Sequence, residues 1–224
     1  MPEQPEPSER PQPPEHPRAG DVLAAARALA PLAARADDDE RWERPAAPTR
    51  WSAARSVSHV ADALLLYAGL VATRATGPRP PLREGRPAVP SEQLADVDGA
   101  AAVLAAVLGG LGRERAWHPS GLADAAGWCG MAVTEVLVHG TDAAGALQVE
   151  LPLPTGVCER TVRRVFPWAA HALDVADPAT VLLAVTGRRH LDGLGHDPDW
   201  WWWSAPLEEW GGAPHRRTRA PHWR

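Results

Sequence analysis

The sequence predicts an all-α protein built as a four-helix bundle, with a long crossover between the second and third helices and a short C-terminal extension. Three observations lead to this fold class. Hydrophobic residues make up 45% of the chain, and much of that share is alanine, which favours helix. Apolar residues recur at helical spacing in several long runs. A stretch rich in proline and glycine separates the second run from the third.

Length, charge and cysteine usage narrow the class of protein. The 224 residues suggest one domain with an appendage. The net charge of −5 gives no overall signature of nucleic-acid binding. Cys129 and Cys158 lack CxxC spacing, which fits a reduced cytoplasmic protein better than a disulfide scaffold. The sequence shows no 18-residue apolar run and no apolar signal core, so we expect no membrane partner. Because of the net charge, we also expect no nucleic-acid partner.

The composition divides the chain into four segments. Residues 1–19 are rich in proline and charge and are predicted to be a disordered tail, with a partner-binding proline motif as the alternative. Residues 20–150 are expected to form the bundle. Residues 151–212 are expected to form a short helical and tryptophan-rich extension packed on it, and residues 213–224 a disordered basic tail.

Capping residues and periodicity predict the first two helices. Asp21 is the expected N-cap of the first helix, which Pro31 should kink or shorten. The acidic run Asp37–Glu40 is interpreted as a solvated loop. Ser52 is the expected N-cap of the second helix, and His59 lies on the apolar stripe of that helix.

Breaker residues separate the remaining helices of the bundle. Gly77–Pro90 is too rich in proline and glycine for a long regular element and should form the exposed crossover. Ser91 is the expected cap of the third helix, whose glycines either weaken it or mark close helix packing. Ala116–Ala126 is interpreted as a loop that leads to the fourth helix, Trp128–Leu147.

The extension is predicted to hold two more helices and an aromatic run. The helices are expected over Thr155–His171 and over Ala179–Thr186, the second with Asp177 as N-cap and Gly187 as its stop. The run Trp200–Trp203 is interpreted first as packing against the bundle. A wall of a substrate cleft, a dimer surface and a membrane-interface patch remain the alternatives.

Two histidines and one glutamate from two predicted helices form the candidate metal site. Glu135 and His139 are four residues apart in an apolar run, so they share a helix face with large apolar side chains. A divalent metal would resolve the burial of that carboxylate, because zinc accepts oxygen and nitrogen ligands together. His59 adds an imidazole from the second helix. Three protein ligands with an open fourth position are typical of a catalytic zinc site.

Ordinary structural roles remain open for these residues. Glu135 and His139 could be a surface pair or a satisfied core hydrogen bond, and His59 could be a core histidine bonded to a neighbour. Asp62 and Asp142 each follow a proposed histidine ligand by three residues. We predict that they orient the two imidazoles, with solvated carboxylates as the alternative.

Three arginines and a cysteine are further candidates for the site. Arg55, one turn before His59, is a candidate for binding an anionic substrate or cofactor, although a surface arginine is the more common finding. Arg163 and Arg164 are weaker candidates for the same role. Cys129 lies about 120° around the helix from Glu135, so we do not expect it to be a fourth ligand.

Two motifs carry a resemblance to a known family. The pattern W-S-x-x-x-x-x-S-H-V-A-D-A-L at Trp51–Leu64, followed by E-V-L-V-H-G-T-D at Glu135–Asp142, resembles the DinB-like superfamily, in particular its mycothiol-dependent maleylpyruvate isomerase branch. The resemblance covers roughly residues 20–150. It implies a DinB-like four-helix bundle and a divalent metal, usually zinc. The family's ligands, one His and an E-x-x-x-H, correspond to His59, Glu135 and His139.

The resemblance also implies an activity. It makes mycothiol the thiol cosubstrate and a small electrophile the substrate, with isomerisation or S-transfer as the outcome. The extension is shorter than the C-terminal domain of true maleylpyruvate isomerases. The alternatives are a metal-dependent hydrolase and a non-catalytic bundle whose polar trio is a structural remnant. We expect a cytoplasmic protein, and the sequence leaves a homodimer open.

Overall fold

The fold is helical with one small hairpin, and the computed structural model describes residues 16–78 and 89–217. The α-helices cover Ala19–Ala28 (α1), Asp39–Trp42 (α2), Ala53–Ala72 (α3), Pro90–Gly109 (α4), Ala125–Leu147 (α5), Thr155–Val165 (α6) and Pro178–Val185 (α7). The strands Ala116–His118 (β1) and Gly121–Ala123 (β2) pair antiparallel. Shorter 3₁₀ helices cover Ala30–Arg35, Pro167–Asp174 and Leu207–Glu209. The predicted all-α fold class is confirmed.

Helices α1, α3, α4 and α5 form the four-helix bundle. Both α1 and α3 pack against α4 and α5. Apolar side chains from all four helices join those of α6, α7 and the tryptophan run in one continuous core. The connection from α3 to α4 is long, as predicted. The extension after residue 150 is therefore packed on the bundle, while the exact segment boundaries stay a prediction.

Several predictions concern segments that the structure does not describe. The tail predicted for residues 1–19 falls mostly on residues 1–15, and the basic tail predicted for residues 213–224 falls mostly on residues 218–224; both of these ranges lie outside the described residues. The same holds for residues 79–88 of the crossover. Within the described part of the chain, no helix combines the length and apolar character needed to cross a membrane.

Two of the predicted N-caps are displaced. Ser52 caps α3 as predicted, with its Oγ accepting a backbone N–H in the first turn. Asp21 is not the cap of α1, because the helix begins at Ala19 and the Asp21 carboxylate reaches back to the Arg18 N–H at 3.1 Å. Ser91 lies inside α4, which begins at Pro90 because proline suits the first helical position.

Three loops and helix ends also differ from the prediction. The acidic run Asp37–Glu40 contains the start of α2, since the Asp38 carboxylate caps that short helix. Ala116–Ala126 is not a plain loop but holds the β1–β2 hairpin. The helix expected over Thr155–His171 ends two residues before Pro167, which cannot continue it, and a 3₁₀ helix follows.

Helix α7 and the region around Pro31 agree with the sequence. Asp177 caps α7 by accepting the Thr180 N–H at 3.0 Å, and Gly187 follows the helix with φ +78°. Helix α1 ends before Pro31, and a 3₁₀ helix takes over there. In these places the local residue chemistry alone determines the helix end.

The tryptophan run packs against the bundle, as its first interpretation held. Trp201 and Trp202 are 8% and 6% exposed and belong to the common core. The Trp203 N–H donates to the Val165 carbonyl at 3.0 Å, which attaches the run to the end of α6. Trp200 and Trp203, at the two ends of the run, are half-buried.

Close packing occurs at glycines of α5 and not at those of α4. A Cβ at Gly130 would lie 2.5 Å from Cγ1 of Val165, and a Cβ at Gly127 would lie 2.1 Å from the Ser204 carbonyl oxygen. Gly99 of α4 has open space around the same position. Helix α5 therefore approaches α6 and the tryptophan run more closely than any larger residue would permit.

Gly130→Ala should lower the free energy of unfolding by about 1–3 kcal/mol, because the added methyl group would overlap Val165. The matched control is Gly145→Ala in the same helix, where nothing lies within 4 Å. That variant should gain up to about 1 kcal/mol, since alanine is the better helix former. Urea denaturation measures both, and equal effects would contradict the close approach of α5 to α6.

Candidate metal centre

Three side chains from two helices bring their donor atoms together. Nε2 of His59 on α3 lies 3.4 Å from Oε2 of Glu135 on α5. Nε2 of His139, one turn further along α5, lies 3.3 Å from the same oxygen. All three donor atoms lie within 4.8 Å of one another. The structure thus brings together the three residues that the sequence selected as metal ligands.

Helix geometry accounts for this convergence. Residues four apart stack on one helix face, so Glu135 and His139 point in the same direction from α5. Helix α3 packs against that face and contributes His59. The side chain of His59 is 28% exposed, against 14% for His139 and 11% for Glu135. Solvent therefore reaches the cluster mainly on the His59 side.

The donor set fits a divalent metal ion. Zinc ligands at about 2.0–2.1 Å in tetrahedral geometry lie about 3.3–3.4 Å from one another. Both imidazole–carboxylate separations have this length. Two imidazoles and one carboxylate also supply the mixture of nitrogen and oxygen donors that zinc accepts. His59, Glu135 and His139 could therefore hold such an ion with a position left open.

The ionisation of the cluster shows how the buried carboxylate is compensated. Burial alone would raise the pKa of Glu135, but His139 and His59 outweigh it and hold this pKa well below its usual range. Burial likewise opposes the charged form of His139, but Asp142 and Glu135 raise the pKa of His139 to about 9. A metal that binds here must displace a proton from His139 at neutral pH.

Tyr67 fixes the other oxygen of the carboxylate. Its hydroxyl donates to Oε1 of Glu135 at 3.1 Å in a buried hydrogen bond. Burial and the neighbouring carboxylate raise the pKa of Tyr67 well above its usual value, so it remains a donor. Oε2 is then left to face the two imidazoles. The sequence analysis missed Tyr67, for which the available signal was the chain's only tyrosine in an apolar helix.

Asp142 lies against the far side of the His139 ring. Its Oδ2 is 3.4 Å from Nδ1 of His139, an ion-pair distance, and its side chain is fully buried. Arg188 donates to both Asp142 oxygens, at 3.1 and 2.9 Å, and was not anticipated from the sequence. Asp62 lies one turn after His59 with its Oδ1 buried, and its orienting role stays a prediction.

Trp51 forms a wall beside the two imidazoles. Its ring centroid lies 4.7 Å from that of His59 and 5.6 Å from that of His139. The exposed Arg55 places its guanidinium carbon 5.0 Å from the Trp51 ring centroid. Arg55 therefore lies next to the wall of the site, and its binding of an anion stays a prediction.

Arg163 and Arg164, the weaker candidates for anion binding, make structural contacts instead. Arg163 pairs with Glu159 at 3.0 Å on its own helix. Arg164 is 1% exposed and donates to the carbonyls of Trp203 and Ser204, each at 3.2 Å. These contacts connect α6 to the tryptophan run and explain why a charged side chain is buried there.

Cys129 is a buried free thiol. Burial raises its pKa to about 12, so it carries no thiolate at neutral pH. It does not belong to the group of donor atoms that the described residues bring together.

A buried histidine, His118, lies beneath the site without joining the cluster. Its ring centroid lies 5.4 Å from those of Tyr67 and Trp128 and 5.7 Å from that of Trp202. Burial lowers the pKa of His118 to about 3, so the ring is neutral. Its Nδ1 accepts the Ser120 N–H at 3.0 Å, which leaves the proton on Nε2. His118 therefore serves as part of an aromatic floor that no motif or spacing indicated.

Comparison with known proteins finds a matching family. The family described as "Mycothiol maleylpyruvate isomerase N-terminal domain" matches residues 22–144. The matched range contains His59, Glu135, His139 and Asp142. No curated protein and no solved structure matches the chain.

The raised pKa of His139 predicts a pH dependence of stability in the chelator-treated protein. The folded value of about 9 exceeds the unfolded value of about 6.5, so the stabilisation is fully present below pH 6.5 and is lost as the pH rises through 9. We expect the free energy of unfolding to fall by about 1–3 kcal/mol more than in His139→Gln, measured by urea denaturation between about pH 6.5 and 9.5. Parallel pH profiles for the two proteins would contradict this charge assignment.

Proposed function

The chain belongs to the mycothiol maleylpyruvate isomerase N-terminal domain family, and from that membership we propose that it is a divalent-metal-dependent enzyme that activates a small thiol. The cosubstrate is mycothiol, and the substrate is a small electrophilic molecule. The observation that carries the proposal is the convergence of His59, Glu135 and His139 within 4.8 Å. Zinc is the proposed ion, because it accepts two imidazoles and a carboxylate while leaving a position open.

The proposed chemistry divides between the ion and the chain. When bound, the ion acts as a Lewis acid that lowers the pKa of a coordinated thiol. Glu135 supplies negative charge to the ion, and Tyr67 holds that carboxylate in one orientation. Trp51 covers the two imidazoles and limits the access of water on its side. The neutral His118 below adds no competing charge.

The reaction follows from the reactivity of a sulfur nucleophile. The sulfur forms a bond to an electrophilic carbon, and the electron pair moves to a neighbouring acceptor such as a carbonyl oxygen. Rotation about the resulting single bond and expulsion of the sulfur give cis–trans isomerisation and return the thiol. Expulsion of a different leaving group instead gives S-transfer and consumes the thiol. Both outcomes need the same site, and the proposal includes both.

Arg55 is the proposed contact for an anionic group on the substrate or on mycothiol. Its guanidinium is exposed and lies beside the Trp51 wall. An exposed cation at the edge of a site can meet a carboxylate without any cost of burial. We also propose a reducing cytoplasmic setting, which the two free cysteines Cys129 and Cys158 support.

Metal binding is the first test. Protein purified without a histidine tag should hold about one zinc per chain, and His139→Ala should weaken zinc binding at least about tenfold while the far-UV circular dichroism is unchanged. The control is His190→Ala, an 88% exposed histidine that should change nothing. Less than about a tenth of a metal per chain after reconstitution would remove the enzyme proposal.

Thiol dependence is the second test. Turnover of a bimane or a chlorinated aromatic electrophile should require both zinc and mycothiol, because the sulfur is the nucleophile. His59→Ala should abolish this turnover, and His190→Ala should retain it. Product formation is followed by chromatography with and without mycothiol. Hydrolysis that proceeds equally well without the thiol would favour a metal-dependent hydrolase instead.

A further inference from the structure

We propose that Arg188 is a positioning residue for His139, acting through Asp142, so that the C-terminal extension completes the metal centre. The inference rests on the proposed function in taking His139 as a ligand. Arg188 lies after α7, well outside the matched range of residues 22–144. The extension would then contribute to the site itself and not only cover the bundle.

Arg188 and Asp142 form a bidentate ion pair. Nε of Arg188 donates to Oδ1 at 3.1 Å, and an Nη nitrogen donates to Oδ2 at 2.9 Å. The side chains are 13% and 0% exposed, so water competes little for either group. Paired hydrogen bonds of this kind fix the plane of a carboxylate as well as its position. Asp142 therefore has one orientation while Arg188 is present.

The turn that ends α7 directs Arg188 toward Asp142. The Gly187 N–H donates to the Ala184 carbonyl at 2.9 Å, and the Arg188 N–H to the Leu183 carbonyl at 2.7 Å. This pair of bonds is the Schellman motif, which needs a left-handed residue after the helix. Gly187 supplies it with φ +78°, and a Cβ there would lie 2.3 Å from the His196 ring. A third bond, from the Arg188 guanidinium to the Thr186 carbonyl at 2.7 Å, holds the side chain along the turn.

The fixed carboxylate faces the His139 ring as an ion-pair partner, since Nδ1 of His139 makes no hydrogen bond within the described part of the chain. Oδ2 of Asp142 lies 3.4 Å from Nδ1, on the side of the ring opposite the donor cluster. Nε2 is then the nitrogen that faces Glu135, at 3.3 Å. Trp51 covers the ring at a centroid distance of 5.6 Å. Carboxylates that orient ligating histidines typically influence metal affinity through such contacts.

The test compares two neighbouring arginines. Arg188→Met should weaken zinc binding by about 10–100-fold, and Arg188→Lys should recover part of that loss, because lysine keeps the charge but not the bidentate geometry. Arg189→Met is the matched control, since Arg189 is exposed and its side chain contacts Thr180. That variant should bind zinc as the unaltered protein does. Competition with a chromophoric chelator measures all three affinities, and an unchanged affinity in Arg188→Met would overturn the proposal.

A double variant separates positioning from folding. Arg188→Met alone leaves the Asp142 carboxylate buried without its partner, which could unfold the chain. Asp142→Asn combined with Arg188→Met removes both charges and should fold. If Arg188 acts through Asp142, the double variant should lose no more zinc affinity than Asp142→Asn alone. Additive losses would show that Arg188 acts by another route and would refute the proposal.

A measurement without metal distinguishes this inference from the proposed function. In zinc-free protein, the ring carbon–proton signal of His139 in the NMR spectrum should be single and sharp, and it should broaden or double in Arg188→Met. Arg189→Met should leave it unchanged. If no variant binds zinc but this pattern is found, the proposed function fails and the positioning role stands. A single sharp signal in Arg188→Met would reject the positioning role whether or not zinc binds.

Discussion

The structure depends on one energetically unfavourable feature, the burial of the Glu135 carboxylate inside an apolar bundle. A charge in that position needs compensation, because water no longer solvates it. His59 and His139 provide it at one oxygen and Tyr67 at the other. The same arrangement that makes the carboxylate tolerable also gathers nitrogen and oxygen donors at one point. A stable bundle and a metal-ready site therefore have a common physical origin.

Further charged and aromatic side chains surround the group that compensates that carboxylate. His139 lies at ion-pair distance from Asp142, and Asp142 accepts hydrogen bonds from Arg188. Groups of alternating charge therefore extend from the bundle interior to the end of α7. Below the site, His118 in the aromatic floor is neutral and buried. On the open side, Trp51 and Arg55 offer an apolar face next to a positive charge. This asymmetry supports the proposal of a small electrophilic substrate with an anionic group.

The sequence was sufficient for features that depend on local spacing. Glu135 and His139 lie on one face because of their separation along a helix, and Ser52 and Asp177 cap helices through their own side chains. Periodicity also placed His59 on the apolar stripe of its own helix, but the packing of α3 on α5 that brings it to the other two donors does not follow from that spacing. Tyr67 and Arg188 were missed for the same reason. Their contacts depend on how far one helix lies from another and on the direction in which the chain leaves α7.

The backbone of the tryptophan run rests directly on the first turn of α5, where Gly127 leaves room for the Ser204 carbonyl. Arg164 joins the same carbonyl and also pairs with Asp124, the cap of α5. A recombinant fragment that ends at residue 144, where the family match stops, would lack both Ser204 and Arg164. Asp124 would then lose its counter-ion Arg164. Truncation for expression or for grafting should therefore be made beyond Ser204.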